Sequence, residues 1–226
     1  MKKLYYLFTM SFAFLLVQSC SSPNEETIAI NPSILNKILF SKTQQNGNNV
    51  DIQLHVMNVD GSNDIQITNF NNGTVFNYNG EASWSPDGSR IIFVSDKDNV
   101  SGIYTMNPDG SNVVRINNSS NGGSEPKFSP NGTKILFSKT QQNGNNVDIQ
   151  LHVMNVDGSN DIQITNFNNG TSFNFNGEAS WSPDGSRIIF VSNKDDVSGI
   201  YTMNPDGSNV VRINNSSNGG SDPSWK

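Results

Sequence analysis

Beyond the first twenty residues, the hydrophobic positions come in short runs, each closed by a turn. Residues 82–117 show the pattern in full. "ASWS" is a short strand, and "SPDGS" brings Pro and Asp-Gly together, the chemistry of a tight turn. "RIIFVS" is a continuous apolar run of buried-strand length, rich in residues that favour a pleated surface. The loop "DKDNVSG" follows, then a third strand in "IYTMN", a second Pro-Asp-Gly turn in "NPDGSN", and a fourth strand in "VVRIN". After the leading apolar run, no stretch sustains a 3.6-residue period. The pattern predicts an all-β chain of four-stranded antiparallel units.

The units repeat. Residues 38–71 recur unchanged at 135–168, an offset of 97. Aligning 37–129 with 134–226 gives eight mismatches in 93 pairs: Val75/Ser172, Tyr78/Phe175, Asp96/Asn193, Asn99/Asp196, Glu125/Asp222, Lys127/Ser224, Phe128/Trp225 and Ser129/Lys226. Each 97-residue unit is itself double, because "KILFS" at Lys37 and Lys134 alternates with "RIIFV" at Arg90 and Arg187. Four strands repeated at this spacing predict four β-propeller blades in two near-identical pairs. A β-solenoid would need a shorter repeat without two hairpin turns in each.

The phrase "WSPDGSRIIFVSDKDNVSGIYTMNPDGSNVVRI" resembles the PD40 repeat of TolB-type propellers, a WD40-like family. The resemblance extends over about residues 37–226 and implies a β-propeller. TolB itself carries an α/β domain ahead of six blades, whereas four units are recognisable here.

Strand counting bears on the ends. Type-a strands begin near residues 82, 125, 179 and 222, and type-b strands at 37, 90, 134 and 187. The first blade therefore opens on strand b. The expectation is that residues 222–226 supply its missing strand a, latching the ring as propellers commonly do and leaving no exposed edge. Four blades close tightly, so the same strand is alternatively offered to a second chain, in a homodimer that completes a larger ring.

Residues 1–19 lie outside the fold. "MKK" is a basic start, and "LYYLFTMSFAFLLV" has the length of a signal-peptide core. It runs into "VQSC", where Cys20 is the single cysteine of the chain. This resembles the lipobox of bacterial lipoproteins, which implies cleavage before Cys20, lipid on its thiol and amine, and a membrane anchor. Ser21 takes the place of the Asp that retains such proteins at the inner membrane, so the outer membrane is expected. Residues 20–36 then form a tether and residues 37–226 the propeller. The net charge is −6 and no basic run follows residue 3, which argues against nucleic acid as a partner.

The sequence offers little for catalysis. His55 and His152 occupy one repeat position twice and read as surface or packing residues. No GxSxG occurs. The acidic loops holding Asp96 and Asp98, and Asp195 and Asp196, lack the spacing of a calcium loop and read as turn residues that bond their own backbone. No cofactor or metal is expected.

Binding is the better expectation. The Pro-Asp-Gly turns all join strands a–b or c–d, at one end of the blades. The Asn-rich connections 43–50, 69–80 and 117–124, with their repeats, lie at the other end. There "NNGTVFNYNG" and "NNGTSFNFNG" present Phe76, Tyr78, Phe173 and Phe175, aromatics able to stack on a sugar or receive a protein anchor. They could equally pack their own loop or pair as an extra hairpin. Trp84, Trp181 and Trp225 read as inter-blade core. The reading is a lipid-anchored envelope propeller binding a protein or glycan without catalysis. Its rivals are the propeller part of a hydrolase or peptidase system, and a partial or amplified repeat product without settled function.

Overall fold

The computed structural model describes residues 36–70, 73–99, 101–117, 122–167, 170–195, 198–214 and 220–225. Every element among them is a strand. The first group is β1 (Lys37–Asn46), β2 (Asn49–Asn58) and β3 (Ile65–Gln66). The second is β4 (Phe76–Trp84), β5 (Ile91–Ser95), β6 (Gly102–Met106) and β7 (Val114–Arg115). The third is β8 (Ser124–Phe128), β9 (Lys134–Asn143), β10 (Asn146–Asn155) and β11 (Ile162–Gln163). The fourth is β12 (Phe173–Trp181), β13 (Ile188–Ser192), β14 (Gly199–Met203) and β15 (Val211–Arg212). Within each group, neighbours in sequence pair antiparallel, which is the meander of a propeller blade.

The local chemistry explains the blade. β5 and β13 are buried at every position, as the run "IIFVS" requires of a central strand. The turn before β5 is closed by its own side chains. Ser85 donates its hydroxyl to Asp87 at 2.6 Å and accepts the Arg90 N–H at 2.9 Å, while Gly88 takes φ 66°. In the third blade Asn131 replaces the Asp and accepts the Ser129 hydroxyl at 2.7 Å.

The core lies between blades. Leu54 of β2 packs with Ile91, Phe93, Tyr104 and Met106 of the second blade. Ile92, Ile103 and Ile116 meet Ile135, Phe137 and Met154 of the third. Leu136, Leu151 and Ile164 meet Trp181, Ile188, Phe190, Tyr201 and Met203 of the fourth. Trp181 and the half-buried Trp84 belong to these cores, whereas Trp225 is exposed.

Three features differ from the sequence reading. Residues 43–50 and 140–147 are not loops. β1 and β2 stay paired out to Asn46–Asn49, and β9 and β10 out to Asn143–Asn146, as two long ribbons. An Asn-Gly turn with Gly47 at φ 65° and Gly144 at φ 64° sets that register. Residues 76–80 and 173–177 are likewise strand, since the leading halves of β4 and β12 pair in parallel with β2 and β10. This ladder fuses blades one and two into one sheet and blades three and four into another. Finally, the latch does not form among the described residues. Residues 221–225 carry no strand and β1 pairs only with β2. The Asp222 N–H donates instead to Glu178, on the adjacent fourth blade.

Candidate functional site

Strand a of each complete blade is broken by a bulge, at 80–83, 124–127 and 177–180. An acidic residue sits in each bulge with a left-handed backbone: Glu81 at φ 49°, Glu125 at 53° and Glu178 at 50°. Asp222 repeats the conformation at 47°. Non-glycine residues adopt this conformation at a cost that surrounding contacts must offset. Here a chain of hydrogen bonds from blade to blade supplies those contacts. The Glu125 N–H donates to Glu81 at 2.5 Å, Glu178 N–H to Glu125 at 3.0 Å, and Asp222 N–H to Glu178 at 2.6 Å.

The four acids line a cavity of about 330 Å³, with Lys127 beside them. Burial holds the Glu125 carboxyl above its ordinary pKa, and the charges of Glu81 and Glu178 add to that, against the opposing effects of the Glu178 N–H and Lys127. Glu81, Glu125 and Glu178 stand one to a blade, with Asp222 beside the fourth. Among the described residues, no group of three or more His, Cys, Asp or Glu converges as a metal site. The arrangement presents acceptor oxygens suited to N–H donors or a cationic side chain.

The four sequence-predicted aromatics stand on β4 and β12, the strands that also carry Glu81 and Glu178. Phe76 stacks on Tyr78 at 6.5 Å between ring centroids, and Phe173 on Phe175 at 6.3 Å. The outer rings are open to solvent, Phe76 at 46% and Phe173 at 48%. The inner rings lie over glycines: a Cβ at Gly80 would stand 2.7 Å from the Tyr78 ring, and one at Gly177 2.9 Å from Phe175. The Tyr78 hydroxyl reaches Glu81 at 3.2 Å, and burial followed by the Glu81 charge pushes its pKa up to about 12. The structure therefore separates two roles within each pair. It also brings Tyr78 to the acidic cavity, a link the sequence reading lacked. The acids were visible in the sequence as "GEASW", "SEPKF", "GEASW" and "SDPSW", each with an acid three residues before an aromatic.

The histidines take no catalytic geometry. Each Nδ1 faces a carboxylate, His55 to Asp64 at 2.6 Å and His152 to Asp161 at 2.7 Å. Both rings are buried beside Phe40 and Phe137. His55 Nε2 meets the Gln44 amide at 3.2 Å, and the buried His152 Nε2 has no partner among the described residues. No hydroxyl partner completes an acid–base–nucleophile set at either ring among the described residues. The acidic loops are internally engaged: Asp96 accepts the Tyr78 N–H at 2.8 Å, and Asp98 and Asp195 accept the hydroxyls of Tyr104 and Tyr201 at 2.7 Å. Asn193 replaces Asp96 in the duplicate and accepts the Phe175 N–H at 2.8 Å, so this mismatch preserves the bond. Asp196 and Cys20 lie outside the described residues.

Blades in meander order, cores between them and an acid-lined cavity beside strand a define a β-propeller. The TolB β-propeller domain model, PD40, matches residues 29–226, and the chain belongs to that family. Among solved structures it is similar to a putative TolB from Agrobacterium tumefaciens, with 24% identity and a TM-score of 0.64 over 81% of this chain and 62% of that one. It is also similar to TolB from Acinetobacter baumannii, with 21% identity and a TM-score of 0.66 over 84% of this chain and 44% of that one. The chain thus spans less than two thirds of each of these proteins, 62% of the first and 44% of the second. A puromycin hydrolase shares the fold at 12% identity and a TM-score of 0.60, over 82% of this chain and 30% of that one. No curated protein matches in sequence.

Proposed function

We propose that this protein is a non-catalytic binding module of the bacterial cell envelope, held to the membrane by lipid on Cys20, probing a protein or glycan with its exposed aromatics. The observation that carries the reading is the duplicated pair: Phe76 and Phe173 stand open to solvent, each braced by an inner ring, on the same strands as Glu81 and Glu178 of the acid-lined cavity. A rigid aromatic with one face free gives large contact area at small entropic cost. The neighbouring carboxylates suit a partner that brings N–H donors or positive charge. Family membership supports an exported, envelope-associated role. The fold likeness to a puromycin hydrolase covers 30% of that protein.

The test replaces Phe76 and Phe173 with Ala, leaving Tyr78 and Phe175 to cover their glycines. Capture of envelope proteins and binding to a glycan panel are measured alongside the melting temperature. Loss of capture with an intact fold supports the site. Capture equal to wild type removes these aromatics from the function.

A further inference from the structure

The three joints between consecutive blades share a buried core and a c–d turn glycine set against the blade before it, and the two ends of the described chain carry the two halves of one more such joint. β1 and β9 have the same ten residues, KILFSKTQQN. β9 lies between β8 and β10, whereas β1 is paired on one side only among the described residues. Ile135 is fully buried while its duplicate Ile38 is 36% exposed, and Phe40 and Met57 are likewise more open than Phe137 and Met154. At the far end, Ile116 is 6% exposed and its duplicate Ile213 is 51%.

A glycine reports the same asymmetry. The c–d turn of each later blade tucks against strand d of the blade before it. A Cβ on Gly110 would strike the Ile67 carbonyl, one on Gly158 the Ile116 carbonyl, and one on Gly207 the Ile164 carbonyl. The equivalent Gly61, at φ 81°, has nothing within 4 Å among the described residues. The missing neighbour is an Ile213-type carbonyl. Ile189, Ile200 and Ile213 are the duplicates of Ile92, Ile103 and Ile116; Ile38, Phe40 and Met57 are the duplicates of Ile135, Phe137 and Met154. The core between blades two and three is thus present a second time, split between the two ends.

We propose that a second copy of this chain supplies the missing half. Residues 221–225 of one copy add as strand a to β1 of the next, and Ile213 covers Ile38 and Gly61. The internal β8–β9 joint fixes the register, since Ser124 faces Ser138, Lys127 faces Leu136 and Phe128 faces Ile135. Transposed, Ser221 faces Ser41, Ser224 faces Leu39 and Trp225 faces Ile38. Trp225 then sits where Phe128 packs against the buried cluster. The contact is heterologous, so it closes a ring or grows a filament according to the rotation per copy.

The experiment uses the full chain in detergent. Ser41→Cys and Ser221→Cys variants are prepared separately, mixed and oxidised. A disulfide-linked heterodimer is expected, and it is expected to be absent when Lys42→Cys replaces Ser41→Cys, because that side chain points to the opposite face. Cys20 is present in every sample and serves as its own control. Light scattering is expected to give a multiple of the chain mass for the wild type and the monomer mass for Gly61→Asn. Asn tolerates the left-handed backbone, and the site is open in the single chain, so Gly61→Asn is expected to melt as the wild-type monomer does. Three results overturn the proposal: a Ser41→Cys/Ser221→Cys double variant that cross-links only within one chain, a wild type that is monomeric and does not cross-link, or a Gly61→Asn variant that keeps the assembled mass.

Discussion

The backbone N–H of Glu178 donates to the carboxylate of Glu125 across the joint between blades three and four, at 3.0 Å. The bond does two things. It supports the left-handed backbone of Glu178, and it occupies one face of a carboxylate that burial and two neighbouring charges disfavour. The bulges and the acidic cavity are therefore one device, repeated between blades two and three and again where Asp222 meets blade four.

Glu125→Gln is expected to raise the melting temperature at pH 7. The amide oxygen still accepts the Glu178 N–H, while the buried charge is removed. The folded pKa of Glu125 is raised, so its contribution is most favourable below the ordinary carboxylate pKa and falls as pH rises through the folded value. The gain at pH 7 should be about 2 °C for a domain of this size. It should close towards pH 4. Melting curves of both proteins across that range check the sign.

Gly110→Ala and Gly61→Ala change the same turn position in different surroundings. Both glycines have positive φ, 83° and 81°, so each substitution pays the cost of a left-handed alanine, about 1 kcal/mol. Only at Gly110 does the new Cβ also meet a carbonyl of the preceding blade. Gly110→Ala should cost at least about 2 kcal/mol more than Gly61→Ala in urea denaturation at high dilution, of the order expected for a strained, overpacked site.

Ile135→Ala and Ile38→Ala delete identical side chains from identical strands. Ile135 is fully buried in the core between blades two and three, and its loss should cost about 2–5 kcal/mol. Ile38 is partly open, so its loss should cost less than about half of that at concentrations too low for chains to associate. Equal costs would show that Ile38 is covered in the single chain.

Much of this was legible in the sequence, for stated reasons. "RIIFVS" announced a strand buried on both faces because no polar residue interrupts it, and the Pro-Asp-Gly turns announced the hairpins around it. The ribbon through residues 43–50 was less legible, because "TQQNGNNV" offers no apolar alternation: its strands are held by backbone pairing and an Asn-Gly turn, with both faces polar. The parallel ladder joining β2 to β4 leaves no periodic trace, since it depends on how far β2 outruns its own blade. The Glu81–Glu125–Glu178–Asp222 series was readable as a recurring acid before an aromatic. What hid it was its setting in a bulge, which turns a residue toward the cavity against the simple alternation of a strand. The aromatic pairs were found, but the division between solvent-facing Phe76 and glycine-covering Tyr78 required coordinates.

Cys20→Ala should move the protein from the membrane fraction to the soluble envelope fraction while leaving the propeller's melting temperature unchanged. The described strands begin at Lys37 and the family match at residue 29, both after Cys20, so the melting temperature is the readout that separates anchoring from folding. Fractionation of cells expressing each form checks this, with metabolic labelling by a fatty-acid analogue as the direct readout. Membrane retention of Cys20→Ala would assign the anchor to another part of the molecule.

His152 supplies a pH dependence whose sign differs from that of Glu125. Burial lowers its folded pKa, and the Asp161 carboxylate only partly opposes this. The ring is thus favoured neutral in the fold, while the unfolded chain binds its proton more readily. A depressed folded value means that the contribution is present above the unfolded pKa and is lost as pH falls through the folded one. The wild type should therefore lose stability on moving from pH 7.5 to pH 5. His152→Asn should start less stable, by about 1–3 kcal/mol for the lost packing against Phe137 and the lost bond to Asp161, yet decline less over that interval. Urea midpoints at the two pH values provide the comparison. A His152→Asn profile parallel to wild type would locate the acid sensitivity elsewhere and leave this ring a packing residue at every pH.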